Sequence, residues 1–135
     1  MLNIALGFDD KFARHGAVCV ASLLDNSSSD VHFYIMHEQG RLSDLSKANI
    51  ESILPQSGNG HRITWLTIDG DKLRSAFTGH WASVAVFYPL MLPELGPEER
   101  ILFLDADTMV TSDLTSVYST DLGGNIMAAV HDFPM

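Results

Sequence analysis

Short apolar runs alternate with stretches of helical periodicity along this chain, and this alternation limits the folds open to it. Apolar runs at residues 2–8, 31–36 and 62–68 each have the length and composition of a buried strand. Apolar residues at helical spacing occupy 12–24 and 43–54, between those runs. Strands that alternate with helices in this way form right-handed βαβ units. The sequence therefore predicts an α/β fold with a mostly parallel, twisted sheet flanked by helices.

Two acids directly follow a run of four large apolar residues. Residues 101–104 are Ile-Leu-Phe-Leu, long enough for a buried central strand that ends at Asp105 and Asp107. Ligands collect at the carboxyl ends of parallel strands. An Asp-x-Asp pair on a turn can aim both carboxylates at one point, which gives the hard oxygen ligands that Mg²⁺ or Mn²⁺ prefers. The alternative is that one aspartate caps the next turn and the other is solvated.

A second acidic segment follows the first strand. Asp9 and Asp10 lie where that strand ends, so their carboxylates can accept hydrogen bonds from ribose hydroxyls or a base N–H at the same edge of the sheet. Asp10 is explained equally well as the N-cap of the helix that follows. Both interpretations can hold together.

Two later segments complete the predicted elements. Residues 81–95 have a helical pattern that Pro89 is expected to kink or break, because proline lacks a backbone N–H and clashes with the preceding turn. Residues 126–130, Ile-Met-Ala-Ala-Val, are predicted to form a strand. That strand would carry His131 and Asp132 to the edge of the sheet where the other acids lie.

Composition excludes several classes of protein. The chain has 135 residues, and its formal charge of −9 with only eight scattered basic residues argues against a nucleic-acid binder. No apolar run has the length of a transmembrane helix, and no signal peptide is visible at the start, so a cytoplasmic protein is expected. The single cysteine, Cys19, lies in an apolar stretch and is predicted to be a buried hydrophobic residue.

Three segments, taken in order, resemble glycosyltransferase family 8: LNIALGFDDKFARHGAVCVASLL, VHFYIMHE and ERILFLDADTMVTSDLTSVYSTDLGGNIMAAVHD. This family consists of retaining enzymes of the GT-A fold and includes bacterial lipopolysaccharide galactosyl- and glucosyltransferases. The most specific pieces are LDADTMV, the pattern from Leu114 to Gly123, and the opening GFDD. The resemblance implies that residues 1–135 are the N-terminal, donor-binding part of a Rossmann-like GT-A domain that is incomplete at its C-terminal side.

The resemblance also implies an activity and a site. The activity is the metal-dependent transfer of a hexose from a UDP-sugar to a saccharide acceptor such as a lipopolysaccharide core, with Mn²⁺ or Mg²⁺ bridging the diphosphate to Asp105 and Asp107. Asp132 matches a position near the transferred sugar and the acceptor. The matching donor-binding positions are Gly7, Phe8, Asp9, Lys11, Asp105, Ala106 and Asp107.

The chain departs from the family pattern in three ways. Pro89 stands where members commonly carry an arginine, and Trp81, with His80 before it, stands where they often carry a histidine. The chain also ends about halfway through such a domain, so a completing metal ligand, the acceptor-binding elements and any peripheral membrane contact would belong to the missing part. One alternative is therefore a truncated or degenerate, non-catalytic nucleotide-binding module. A haloacid dehalogenase-like phosphatase, with Asp105 as nucleophile and Asp107 as general acid, is another, although Met109 stands where that motif requires threonine.

Overall fold

Four parallel strands form one sheet with helical segments packed on both faces. The computed structural model describes residues 1–57, 60–76, 84–96 and 100–131. The strands lie in the order β3-β2-β1-β4 and every pair is parallel, so the predicted α/β fold is confirmed. The strands are β1 (Leu2–Gly7), β2 (Val31–Glu38), β3 (Arg62–Ile68) and β4 (Leu102–Phe103). The α-helices are α1 (Ala13–Asn26), α2 (Asp44–Glu51), α3 (Gly70–Ala76), α4 (Leu92–Leu95) and α5 (Thr115–Tyr118).

Each face of the sheet has its own apolar core, because successive residues of a strand point to opposite faces. On one face Ile4 and Leu6 of β1 pack with the buried side of α1, which includes Val20 and Leu23. Cys19 belongs to this core and is buried, as predicted. On the other face the core contains residues of β1, β2 and β3 together with Leu73 of α3. Both faces of the central strands are therefore covered, which is usual for parallel sheets.

The first half of the chain follows the predicted order with small differences in length. Strand β2 continues two residues beyond the predicted 31–36 and ends at Glu38. Helix α2 begins after Ser43, whose hydroxyl accepts a hydrogen bond from the Ser46 amide, and ends at Glu51. A separate 3-10 turn, Leu54–Gln56, follows. Helix α3 was not predicted, because its seven residues are too short and too polar to show a clear period.

The predicted helix over 81–95 is wrong in type for most of its described length. Residues Val84–Met91 form a 3-10 helix that contains Pro89, and the α-helical turn α4 begins only at Leu92. Proline interrupts the α-helical hydrogen-bond pattern, and the chain here takes the tighter 3-10 form. The change of helix type therefore comes after Met91 and not at Pro89. Residues 81–83 lie outside the described residues.

The predicted strand over 126–130 is absent. Ile126 is 97% and Val130 is 96% exposed, and no described strand pairs with this segment. An apolar run becomes a strand only where a neighbour can take its backbone hydrogen bonds, and none of the described residues offers one. The prediction that this strand brings His131 to the sheet edge is therefore wrong. Asp132 lies outside the described residues.

The chain from β4 to α5 is tied back to the start of the sheet. The Tyr118 hydroxyl donates to the Arg100 carbonyl at 2.9 Å and accepts from Asn3 Nδ2 at 3.1 Å. Arg100 Nη1 donates to the carbonyls of Tyr118 and Thr120, at 2.8 and 2.7 Å. The stretch from 100 to 120 is thus joined at its two ends. No described helix is both long and apolar enough to cross a membrane.

Candidate functional site

A cavity of about 1010 Å³ opens at the carboxyl ends of the strands. Strands β1 and β4 pair through Ile4 with Leu102 and Ala5 with Phe103, and two further steps in this register bring Gly7 level with Asp105. The loop after β1 and the acidic turn after β4 are therefore neighbours. Each donor-binding residue predicted in these two segments lines the cavity: Gly7, Phe8, Asp9, Lys11, Asp105, Ala106 and Asp107.

The turn after β4 exposes both acids. Ala106 is 8% exposed and packs into the core, while Asp105 and Asp107 on either side of it are exposed. The Thr108 amide and hydroxyl both donate to the Asp105 carbonyl, at 3.1 and 2.7 Å, and close the turn. Within the described part of the chain, neither carboxylate takes part in a hydrogen bond or an ion pair, so neither serves as a cap. Both remain available to a ligand.

These two carboxylates fit a divalent metal that is shared with a substrate. Their oxygens are the hard ligands that Mn²⁺ and Mg²⁺ take, and Mg²⁺ in particular is usually held by one or two carboxylates together with substrate phosphates. Among the described residues, no three histidine, cysteine or acidic side chains come together as a complete metal site. The fit is therefore to a metal whose remaining ligands come from elsewhere.

The loop after β1 is shaped by two close packings. A side chain at Gly7 would meet the Tyr88 ring, since an added Cβ would lie 2.5 Å from Tyr88 Cδ2. The Phe8 ring is 2% exposed and lies against Gly16 of α1, so it anchors the loop to that helix. Asp9 Oδ1 accepts a hydrogen bond from the Lys11 amide at 3.0 Å. Asp9 and Lys11 thus lie side by side on the cavity wall.

Asp10 has a different role from the predicted N-cap. Helix α1 has Phe12 at its N-cap position, without a side-chain hydrogen bond there. The Asp10 carboxylate instead accepts from the amide and the hydroxyl of Ser43, both at 3.0 Å. The pKa of Asp10 is lowered, chiefly by the Ser43 amide and the Ser46 hydroxyl. Asp10 therefore joins the loop after β1 to the start of α2, and its side chain is absent from the cavity lining.

A charged cluster that the sequence did not predict forms another wall of the cavity. Arg74 of α3 pairs with Glu38 at the end of β2, with Nη2 to Oε1 at 2.6 Å and Nη1 to Oε2 at 3.3 Å. It also donates to Asp71 at 2.8 Å. These carboxylates raise the pKa of Arg74, the Glu38 bond first. Glu38 was visible as a polar residue after a strand, whereas Arg74 lay in the helix that sequence periodicity missed.

Tyr88 supports the cavity from within the second core. Burial raises its pKa, and Glu38 contributes further through its charge. The ring packs against Gly7, and the hydroxyl is hydrogen-bonded to the backbone of Glu38, so Tyr88 connects the ends of β1 and β2. The Tyr88 hydroxyl therefore stays protonated and contributes no charge to the cavity lining.

The sequence profile of one protein family covers almost the whole chain. The family is described as glycosyl transferase family 8, and its profile matches residues 3–134. This chain belongs to glycosyl transferase family 8. The resemblance inferred from the sequence motifs is thereby confirmed.

Curated relatives agree with this membership. General stress protein A of Bacillus subtilis is 24% identical over 135 residues, which are 98% of this chain and 46% of that protein. The lipopolysaccharide 1,2-glucosyltransferase of Escherichia coli is 28% identical over 137 residues, which cover 97% of this chain and 38% of that protein. The chain thus spans less than half the length of these two family members.

Solved structures share the fold. The galactosyltransferase LgtC, determined in complex with donor and acceptor sugar analogs, superposes with a TM-score of 0.77 at 22% identity. The match covers 90% of this chain and 44% of LgtC. GlyE of Streptococcus pneumoniae TIGR4 gives a TM-score of 0.68 at 22% identity, over 92% of this chain and 28% of that structure. The family 8 chain described above therefore has the GT-A fold that the sequence predicted.

Proposed function

We propose that this chain binds a UDP-hexose through a divalent metal, as the donor-binding part of a retaining glycosyltransferase. One observation carries the proposal. Asp105 and Asp107 are exposed on either side of the buried Ala106, on the wall of a large cavity that they share with the loop after β1. Membership of glycosyl transferase family 8 supports a sugar donor as the ligand of this cavity.

The residues of the loop after β1 are proposed to hold the nucleoside. One carboxylate oxygen of Asp9 already accepts from the Lys11 amide, and the group retains capacity for ribose hydroxyls or a base N–H. Lys11 lines the same cavity, and its ammonium group would offset the negative charge of the diphosphate. Gly7 leaves room for the Tyr88 ring beneath the ligand.

Asp105 and Asp107 are proposed to hold Mn²⁺ or Mg²⁺ together with the diphosphate. A divalent cation at this position supplies a Lewis acid that neutralises charge on the departing nucleoside diphosphate. The chain's own part is to keep both carboxylates exposed and close to the nucleoside loop.

Sugar transfer is proposed to have a saccharide acceptor, with a lipopolysaccharide core as the first choice. The Escherichia coli relative is named for such a reaction, and LgtC was determined with both a donor and an acceptor sugar analog. Because the chain spans less than half of these relatives, we propose donor binding for the 135 residues and transfer for a protein that includes the counterpart of the remainder. The cytoplasmic location and any peripheral membrane contact stay predictions.

A second candidate is nucleotide binding without transfer. Pro89 lines the cavity, at the position where the family resemblance leads us to expect an arginine. A pyrrolidine ring carries no charge, so it cannot stabilise a diphosphate as a guanidinium does. This candidate shares the donor site and differs only in the absence of turnover.

The proposal is tested by titrating UDP into the protein, with and without Mn²⁺, and measuring binding by isothermal titration calorimetry. We expect Mn²⁺ to tighten binding, and Asp105→Ala and Asp107→Ala each to remove that gain. Asp25→Ala serves as a matched control, because it removes another exposed acid, from α1, outside the cavity lining.

Each outcome points to one interpretation. Wild-type protein that binds UDP equally well with and without Mn²⁺ would refute the metal-dependent donor site. UDP-sugar hydrolysis or transfer, assayed in the same samples, separates a transferase from a binding module. Hydrolysis of p-nitrophenyl phosphate that depends on Asp105 would instead favour the phosphatase alternative.

A further inference from the structure

Helix α1 presents a row of polar side chains to the segment that follows the acidic turn. The row is formed by Cys19, Ser22 and Asn26, which lie three and four residues apart and therefore on one side of the helix. Cys19 is buried and the other two lie toward the surface. The rest of this side of α1 packs into the apolar core.

Ser22 and Asn26 bind both backbone groups of Val110. The Val110 amide donates to Ser22 Oγ at 3.0 Å, and Asn26 Nδ2 donates to the Val110 carbonyl at 3.2 Å. Ser22 Oγ also donates to the Cys19 carbonyl at 3.0 Å, which fixes the direction of its proton. The Val110 side chain is buried in the core. This residue is therefore held by its side chain and by both of its backbone groups.

Thr108, which lies between the two acids and Val110 in the sequence, also connects the acidic turn to α1. Its hydroxyl donates to the Asp105 carbonyl at 2.7 Å and lies 3.5 Å from Cys19 Sγ. The sheet contributes little here, because β4 ends at Phe103 and its last bond to β1 is from the Leu104 amide to the Ala5 carbonyl. The position of the acidic turn thus depends on α1 at one end and on β4 at the other.

We propose that Ser22 is a positioning residue of the metal site, which it controls through the backbone of Val110. The inference rests on the proposed function, since it concerns the metal that Asp105 and Asp107 would share with the diphosphate. Groups that orient metal ligands without touching the metal commonly matter for affinity by about 10–100-fold. Ser22 does not line the cavity, so its substitution removes no direct contact with the nucleotide.

The test compares the UDP dissociation constant in Mn²⁺ with that in EDTA for Ser22→Ala. We expect a rise of about tenfold in Mn²⁺ and a change within about twofold in EDTA. Ser22→Thr keeps the hydroxyl and should restore most of the Mn²⁺ effect. Ser52→Ala is the matched control, because the Ser52 hydroxyl makes the same kind of bond, to the Asn49 carbonyl, far from the acidic turn.

Amide hydrogen exchange measures the attachment of Val110 to α1 directly, without a nucleotide. Ser22→Ala should speed exchange at Val110 and leave the amides of β1 and β2 unchanged. Asn26→Ala removes the bond to the Val110 carbonyl, together with a bond to the Ser22 carbonyl within α1, and leaves the Ser22 hydroxyl in place. Because Asn26 is exposed, this variant gives a second test of the attachment if Ser22→Ala fails to fold.

The outcomes separate this inference from the proposed function. Equal rises of the dissociation constant in Mn²⁺ and EDTA, or wild-type affinity in Ser22→Ala, would overturn the positioning role and leave the donor site intact. Failure of Ser22→Thr to recover would also count against it. A wild-type protein without any Mn²⁺ effect on UDP would overturn both proposals together.

Discussion

Strands β2 and β4 lie on opposite sides of β1 and are built in different ways. Strand β2 has eight residues, of which all but Glu38 are buried, and it pairs with a strand on each side. Strand β4 has two residues, both half-buried, and pairs only with β1 among the described strands. One wall of the cavity therefore comes from the packed sheet, whereas the wall with the two acids is held by β4 on one side and by side-chain hydrogen bonds to α1 on the other.

This difference separates the two tasks of the site. The loop after β1 follows a strand that packs into a core on each face, so its shape is set by the same packing that stabilises the fold. If Ser22 has the proposed positioning role, loss of its hydroxyl group loosens the acidic turn with little expected effect on the core. Substitutions can therefore test stability and metal binding separately.

The largest expected effect is a loss of stability from the centre of β2. Phe33→Ala should lower the free energy of unfolding by about 3–5 kcal/mol, because the ring is fully buried. Phe103→Ala in β4 should cost less than half as much, since that ring is only partly buried. Urea denaturation measures both. Equal losses would contradict the contrast between the two strands.

The next effect concerns the contact between Gly7 and Tyr88. Gly7→Ala should destabilise the protein by about 1–3 kcal/mol, because the new methyl group overlaps the ring and the ring must move. Combining it with Tyr88→Leu should cost less than the sum of the two single changes, and a double-mutant cycle measures the difference. Strict additivity would show that the ring does not respond to Gly7.

A smaller effect is expected from His37, which is buried in β2. Burial lowers its pKa below the ordinary value of 6.5, and the charge of Lys47 lowers it further, against the raising effect of its bond to the Glu38 carbonyl. The unfolded chain therefore binds the proton first, and stability is full above pH 6.5 and falls as the pH drops below it. In His37→Gln, melting temperatures between pH 7 and 5 should vary less steeply than in wild type. His15→Gln, which replaces an exposed histidine outside the sheet, is the matched control.

The smallest effect is expected from Asp113, which lies beyond the acidic turn. Hydrogen bonds from the Ser28 hydroxyl and amide and from the Thr115 amide hold its pKa well below the ordinary 3.8. Its contribution is therefore present above pH 3.8 and is lost as the pH falls below that value. Melting of Asp113→Asn should depend less on pH in this acidic range. Asp121→Asn provides the comparison, because the Asp121 carboxylate accepts one bond, from the Gly123 amide, where Asp113 accepts three.

The sequence predicted the parts of the fold that depend on one segment at a time. The periodicity of α1 and the β-branched run of β3 place those elements within two residues of their observed ends. The segment 126–130 has equally strong apolar character, yet it forms no strand, because pairing depends on a neighbour that periodicity cannot reveal. Local pattern thus predicts the type of an element better than its partners.

The site shows the same division. The seven residues predicted from strand ends and family motifs all line one cavity, because parallel strands bring their carboxyl ends together. The hydrogen bond from the Val110 amide to Ser22 joins residues 88 positions apart, and no local sequence pattern predicts it. Arg74 was missed for a related reason, since its partner Glu38 lies 36 positions away.

The joined ends of the stretch from Arg100 to Thr120 make the acidic turn part of a closed loop. Closing a loop of about twenty residues costs entropy once, when the ends meet, and the residues inside then have fewer conformations to lose when a ligand binds. The bonds between Arg100 and Tyr118, at the opposite end of the sheet, therefore reduce the conformational entropy that Asp105 and Asp107 lose when a ligand binds. Changes to the chain beyond Thr120 are accordingly expected to leave the arrangement of the two acids intact.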